Sequence, residues 1–251
     1  VPREFKHIES IDFEHVWFSY DNNDVYALED FTLSIKAGEF IGIVGPSGSG
    51  KSTLLSLLMG LYKPTKGAIY INGIDIANYD SSVLRHLMGY VFQQAYLFKG
   101  SIKDNLTLFD TSISYDDMVA AAKQVNLDSM IEQLPEGYHT PVGYLGSLLS
   151  DGQKQLLAFG RTLIRNTPIL LLDEATANID SHTEKQIQAS IENIRGSKTI
   201  VSIAHRLSTV QDANKIVYME YGKIIEIGSF DELINLKGTF YNLWNNQHSG
   251  S

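Results

Sequence analysis

The sequence contains no cysteine, so neither a disulfide framework nor a thiolate metal site is open to it. No apolar run approaches the roughly 20 residues needed to span a membrane, and no secretory signal is visible at the start. Internal repeats and low-complexity linkers are lacking as well. Basic residues are in deficit: 20 Lys and Arg stand against 29 Asp and Glu, a formal net charge of −9. A general polyanion-binding surface is therefore not expected, and no nucleic-acid partner with it. Any phosphate the chain binds has to be held locally. What the 251 residues do have is a hydrophobic content of 43%, enough for a sizeable core in one large α/β domain or two small ones. The chain opens Val1-Pro2-Arg3 rather than on Met, which suggests an excised domain, and the ending His248-Ser249-Gly250-Ser251 reads as an appended tail.

A local phosphate site is legible in Gly45-Pro46-Ser47-Gly48-Ser49-Gly50-Lys51-Ser52-Thr53, which fits the P-loop pattern G-x-x-x-x-G-K-[ST]. The flanks fit too. Phe40-Ile41-Gly42-Ile43-Val44 reads as a buried strand, and Thr53-Leu54-Leu55-Ser56-Leu57-Leu58-Met59 reads as a helix. Glycines let the backbone wrap closely around a phosphate and take positive φ where needed. Successive N–H groups then form a nest, and the helix N-terminus adds partial positive charge. Lys51 can reach β- and γ-phosphates, and the Ser52 hydroxyl can ligate Mg²⁺. This stretch predicts a nucleoside triphosphate site.

The rest of the chain reads in order as strands, helices, then strands and helices again. Residues 11–20 are β-rich, with Val16, Phe18 and Tyr20 alternating before the turn cluster Asp21-Asn22-Asn23-Asp24. Phe31, Leu33 and Ile35 alternate on a second strand. Ala68-Ile69-Tyr70-Ile71 is a strand ending at the turn signal Asn72-Gly73. Gly89-Tyr90-Val91-Phe92 is another. From about 94 to 167 the texture is helical, with Ser114-Tyr115-Asp116-Asp117 shaped like a capping box and Leu156, Phe159 and Leu163 on one face of a second helix. Ile169-Leu170-Leu171-Leu172 reads as a strand buried on both faces. Ser181-His182-Thr183-Glu184 reads as a capping box opening a helix that turns Ile187, Ile191 and Ile194 inward. Thr199-Ile200-Val201-Ser202-Ile203 is the next parallel strand, 216–227 is a hairpin turning at Tyr221-Gly222, and two short helices finish the chain. The expected fold is α/β: one domain over 1–251, with a P-loop core, a mainly parallel sheet, an N-terminal antiparallel β subdomain and a helical insertion at about 94–167.

Further chemistry falls at strand and helix ends. Asp173-Glu174 follows the apolar strand directly, and ligands gather at the carboxyl ends of such strands. Asp173 is placed to hold Mg²⁺ and Glu174 to polarise an attacking water, a role that contributes about 10²–10⁴-fold. Gln93 ends its strand, where an amide could ligate Mg²⁺ or orient water. His205 follows another strand and could donate to a γ-phosphate. Leu149-Ser150-Asp151-Gly152-Gln153 opens a helix whose N–H groups make a second anion site. Two phosphate-binding helix ends about 100 residues apart are hard to use on one nucleotide within one subunit. Two chains facing head to tail could use both.

With these residues together, the sequence resembles the nucleotide-binding domain of ATP-binding cassette (ABC) transporters over nearly its whole length. The resemblance rests on residues 45–53 as Walker A, Gln93 as the Q-loop, 149–153 as the signature, 169–174 as Walker B, Ala177-Asn178-Ile179-Asp180 as the D-loop and His205 as the H-loop. It implies ATP and Mg²⁺ as ligands, a RecA-like core, a second nucleotide-binding domain as partner, and roles for Ser150, Asp151, Gly152, Gln153 and Asp180 at the nucleotide of the facing chain. Tyr20 looks like the aromatic residue that stacks on adenine, which is worth roughly 1–3 kcal/mol per base; its other reading is a strand-end core tyrosine. Residues 97–106 and 134–143 resemble the exporter branch, in which the first segment lies near the groove for the membrane domain's coupling helix. That branch implies a transmembrane domain fused before Val1 and a place at the cytoplasmic face of the cell membrane.

Two departures stand out. Thr140-Pro141-Val142-Gly143 continues with Tyr144 where the exporter pattern has Glu, so that segment lacks the carboxylate of the branch's polar coupling contact. Asp151 stands where the signature usually has a second glycine. Two unit charges 4 Å apart interact by roughly 4 kcal/mol at an effective dielectric of 20. An acid in a first helical turn gains only about 0.3–1 kcal/mol. Repulsion of a γ-phosphate wins unless Asp151 swings outward as an ordinary first-turn acid. A kept Glu174 beside an altered signature most resembles one subunit of a heterodimeric bacterial multidrug exporter. The alternatives are a homodimeric exporter of peptide or lipid and a soluble ABC ATPase without a membrane partner.

Overall fold

The computed structural model describes residues 7–21, 23–91, 95–143, 147–174 and 180–249. The chain divides into two compact units: one comprises Val1–Met88, Pro168–Leu171 and Gly196–Ser251, and the other Gly89–Thr167 and Leu172–Arg195.

In the first unit, strands β1 (Ser10–Phe18), β2 (Leu28–Lys36), β4 (Lys66–Ile71) and β5 (Ile74–Asp75) form an antiparallel sheet in the order β2-β1-β4-β5. The alternation on β2 holds, with Phe31, Leu33 and Ile35 buried. Phe31 meets Phe13 edge to face at 5.4 Å, and each such fully buried side chain contributes about 1.5–3 kcal/mol. The alternation on β1 stops earlier than the sequence pattern suggests. Ala27 N–H closes on the Phe18 carbonyl at 2.7 Å, so Tyr20 lies past the strand and is 54% exposed. β1 also bulges between Phe13 and Val16. There a Cβ on Gly67 would sit 2.1 Å from the His15 carbonyl oxygen, so only glycine fits against the bulge.

The second sheet runs β10-β9-β3-β8-β7-β6, made of β3 (Phe40–Val44), β6 (Met88–Val91), β7 (Ile169–Asp173), β8 (Thr199–Ile203), β9 (Lys215–Glu220) and β10 (Lys223–Gly228). β3 is parallel to both β8 and β9, while β9 and β10 form the expected antiparallel hairpin through Tyr221-Gly222. Every residue of β3 is buried, which is why it reads as an uninterrupted apolar run. A Cβ on Gly42 would lie 2.6 Å from Val210, so a glycine there lets the turn at Leu207–Val210 pack directly on the strand. Helix α1 (Lys51–Leu58) follows β3, α2 (Ser81–Leu87) precedes β6, and α8 (Phe230–Leu236) and α9 (Thr239–His248) close the chain.

The second unit is mainly helical: α3 (Ile102–Thr107), α4 (Tyr115–Gln124), α5 (Asp128–Glu132), α6 (Asp151–Ile164) and α7 (Ser181–Ile194). α6 packs against α3 and α4, burying Leu156, Leu157, Phe159 and Leu163. Ser114 caps α4 by accepting the Asp117 N–H at 3.1 Å. The cap of α7 differs from the expectation. Asp180, not Ser181, is the cap residue: one of its carboxylate oxygens accepts the Thr183 N–H at 2.9 Å and the other the Thr183 hydroxyl at 2.7 Å. A carboxylate offers a separate oxygen to each of these two donors, which a single serine hydroxyl does not.

Candidate phosphate cradle and associated sites

The cradle is built where β3 runs into α1. Gly45, Gly48 and Gly50 take φ of 151°, 78° and 98°. A Cβ on Gly45 would come within 2.2 Å of the Met219 carbonyl oxygen, and one on Gly50 within 2.5 Å of the Ala27 carbonyl oxygen. The loop is therefore wedged between backbone neighbours, and the Gly222 N–H ties it further by donating to the Ser49 carbonyl at 3.0 Å. Lys51 is buried, and its ammonium donates to the carbonyls of Gly45 and Pro46, the latter at 3.0 Å. Pro46, Ser47 and Gly48 are exposed at the top of the loop, as is Ser52 on the first turn of α1.

Two features make this loop a candidate anion site. α1 has neither a capping side chain nor an acid in its first turn, whereas Ser or Asp side chains cap α3, α4, α6, α7 and α8. No side chain among the described residues caps its first N–H groups, and its positive end has no acid in the first turn. The Ser49 hydroxyl, in a residue only 1% exposed, has no hydrogen-bond partner among the described residues. A phosphate fits that set of donors. Tyr20 borders the same helix, its hydroxyl 2.7 Å from the Thr53 hydroxyl. His205 lies just past β8, half-buried.

In the second unit, β7 ends at Asp173, and Glu174 follows it, only 7% exposed. The Tyr90 hydroxyl donates to Asp173 Oδ2 at 3.4 Å. Burial, with the Asp173 charge second, pushes the Tyr90 hydroxyl up to about 12, so it stays a proton donor at neutral pH. The start of α6 is a complete capping box: Ser150 Oγ accepts the Gln153 N–H at 3.1 Å and Gln153 Oε1 accepts the Ser150 N–H at 2.9 Å. Gly152 leans on α7, where a Cβ would meet Thr183 Cγ2 at 2.1 Å. Asp151 faces outward, its side chain 71% exposed and 3.6 Å from the Lys154 ammonium. Asp180 sits at the N-terminus of α7, its carboxyl held below the usual range by the Thr183 hydroxyl and N–H.

Gln93, Tyr144 and the stretch 177–179 lie outside the described residues. No group of three or more His, Asp or Glu side chains able to hold a metal occurs among the described residues. Two neighbours of these sites were not singled out in the sequence. Lys154 was readable from its i,i+3 spacing to Asp151; Tyr90 was not, because strand periodicity does not say which carboxylate a side chain will meet.

A glycine loop between a buried parallel strand and an uncapped helix, in a mixed α/β fold, defines a P-loop domain. The chain belongs to the ABC transporter family, whose sequence profile matches residues 28–177. It is 41% identical over 241 residues to the ATP-dependent lipid A-core flippase of Alkalilimnicola ehrlichii, covering 96% of this chain and 41% of that protein. It is 44% identical over 234 residues to the toxin RTX-III translocation ATP-binding protein of Actinobacillus pleuropneumoniae, covering 93% of this chain and 33% of that one. Among solved structures, a bacterial Atm1-family ABC exporter with ATP bound superposes with a TM-score of 0.89 at 39% identity, covering 98% of this chain and 43% of that one. The chain thus spans less than half the length of these relatives. No helix among the described residues is long and apolar enough to cross a membrane.

Proposed function

We propose that this chain is the ATP-binding and ATP-hydrolysing domain of an ABC exporter, joined to a transmembrane domain at the cytoplasmic face of the membrane and paired head to tail with a second such domain. The observation that carries the reading is the loop at 45–50: glycine-dependent, lysine-lined, and leading into a helix with neither a capping side chain nor an acid in its first turn. In this reading the loop amides and Lys51 hold the phosphates, and Tyr20 stacks on the adenine. Glu174 polarises the attacking water and His205 donates to the γ-phosphate. Ser52, Gln93 and Asp173 would hold Mg²⁺, which supplies charge neutralisation on the phosphates. Ser150, Gly152, Gln153 and Asp180 serve the nucleotide of the facing chain. Substrate contacts belong to the membrane domain.

We further propose a heterodimeric exporter in which this subunit supplies Glu174 to the competent site and its Asp151-bearing signature to the weaker one. One observation favours a second reading, a homodimer. The outward turn of Asp151 toward Lys154 reduces the charge that the α6 N-terminus would present to an anion.

The test is ATP turnover by the purified full-length transporter. Glu174→Gln is expected to retain ATP binding and lose about 10²–10⁴-fold in turnover, and Lys51→Ala to lose binding. Undiminished turnover in Glu174→Gln would overturn the base assignment. Brisk cooperative hydrolysis by a homodimer of this chain, unchanged by Asp151→Gly, would overturn the heterodimer.

A further inference from the structure

Beside the cradle stands a group of three aromatic rings. Phe18 meets Tyr20 at 4.8 Å with the planes at 82°, and Tyr20 meets Tyr62 at 5.4 Å with the planes at 84°. Phe18 and Tyr62 close the triangle at 5.4 Å. Phe18 is buried, while Tyr20 and Tyr62 are 54% and 46% exposed. Large rings left this open next to a ligand loop are available to a planar partner.

Tyr62 is fixed from both sides. Upstream, α1 ends in a Schellman motif: the Leu61 N–H donates to the Ser56 carbonyl at 3.0 Å and the Gly60 N–H to the Leu57 carbonyl at 3.0 Å, with Gly60 at φ 74°. Downstream, the Thr65 N–H donates to the Trp17 carbonyl at 2.7 Å, and Thr65 Oγ1 accepts the Ser19 N–H at 3.1 Å. Tyr20 in turn is pinned to α1 through Thr53 at 2.7 Å. The helix that begins at the P-loop therefore carries Tyr62 at its far end and is bonded to Tyr20 near its start. Two rings set perpendicular to Tyr20 fix its plane.

We infer that Tyr62 is a positioning residue for the nucleobase, holding the Tyr20 ring in the orientation that stacks on adenine. The inference rests on the reading of Tyr20 as the base-stacking residue. It assigns Tyr62 a part in base recognition and none in phosphate binding.

The full-length transporter tests this by equilibrium binding of ATP and of inorganic triphosphate, which has no base. Tyr62→Ala is expected to weaken ATP binding about 3- to 10-fold, the worth of an aromatic pair, and to leave triphosphate binding unchanged. Tyr62→Phe, which keeps the ring, is expected to match the unsubstituted protein. In a Tyr20→Ala background, Tyr62→Ala is expected to add nothing further, as for residues acting through one another. Equal weakening of ATP and triphosphate would mean a structural role and overturn the inference, as would unchanged ATP binding, failure of Phe to rescue, or additive effects with Tyr20→Ala. If the unsubstituted transporter binds triphosphate but Tyr20→Ala leaves its ATP affinity intact, the base-stacking reading itself fails. If it binds neither ligand, the nucleotide-site reading falls, and this inference with it.

Discussion

Arg161 on α6 donates from Nε to the backbone carbonyl of Asn105 at 2.8 Å and from Nη2 to its side-chain oxygen at 3.3 Å. Asn105 is fully buried, and its amide bonds the carbonyls of Phe98 and Ser101 while its oxygen accepts the Phe98 N–H at 2.8 Å. Arg161 also reaches the Tyr96 carbonyl at 3.1 Å. One arginine and one asparagine thus hold the 96–105 segment to the helix that begins at Ser150. That segment overlaps residues 97–106, whose sequence resembles the exporter branch.

Asn105→Ala leaves the part-buried Phe98 N–H and carbonyl without their side-chain partner, each unmade bond costing about 1–3 kcal/mol. Thermal unfolding should shift down by about 2–4 °C per kcal/mol for a chain of this size. Arg161→Lys keeps the charge but lacks the planar fork, and is expected to lose most of what Arg161→Ala loses. A lysine variant as stable as the parent would show that charge rather than fork geometry matters here.

Gly152 and Thr183 set the contact of α6 with α7. With a Cβ placed 2.1 Å from Thr183 Cγ2, Gly152→Ala must push the helices apart, a kind of overpacking that costs typically 1–3 kcal/mol. Pairing it with Thr183→Ser, which removes that methyl but leaves the Cβ at 2.8 Å, should recover part of the loss in a chemical denaturation series. Absence of recovery would place the strain elsewhere.

Asp180 gives α7 an acid-sensitive start. Its carboxyl sits below its ordinary value because the Thr183 hydroxyl and N–H bond it. The folded form therefore holds its proton less tightly than the unfolded chain does. The stabilisation is complete above the unfolded carboxylate range and is lost as pH falls through the lower folded value. Midpoints of thermal unfolding measured from pH 7 down to pH 3 should fall less steeply in Asp180→Asn, which keeps a good cap without a titrating group. Identical pH slopes for parent and variant would remove Asp180 from the acid response.

Much of this was legible in the linear sequence, and the exceptions share a cause. The strand at Phe40–Val44 and the hairpin turns at Asn72-Gly73 and Tyr221-Gly222 announce themselves through short-range rules. So does the helix start at Ser150. Asp180 and Ser181 are adjacent cap candidates of equal local merit, and only the donors that Thr183 presents decide between them. Arg161 and Asn105 are 56 residues apart, and Tyr20 and Thr53 are 33 apart. No periodicity carries information over such distances, so side-chain partnerships that cross elements emerge only with the fold.

The pair Asp151–Lys154 yields the most discriminating prediction for the signature. The carboxylate lies 3.6 Å from the ammonium and is 71% exposed, so the pair is worth at most about 1 kcal/mol in itself. Its consequence is the charge seen by an anion near the first turn of α6. Lys154→Ala leaves Asp151 unneutralised there and is expected to weaken ATP retention by about 2- to 5-fold, the range such a surface pair permits. Asp151→Gly should strengthen it. Both effects should shrink as salt rises, because screening shortens to about 3 Å at 1 M. Equilibrium ATP binding in a Glu174→Gln full-length transporter, at low and high potassium chloride, reads this without interference from turnover. Salt-independent effects, or a Lys154→Ala variant that binds as the parent does, would mean that Asp151 acts on the nucleotide by shape rather than by charge.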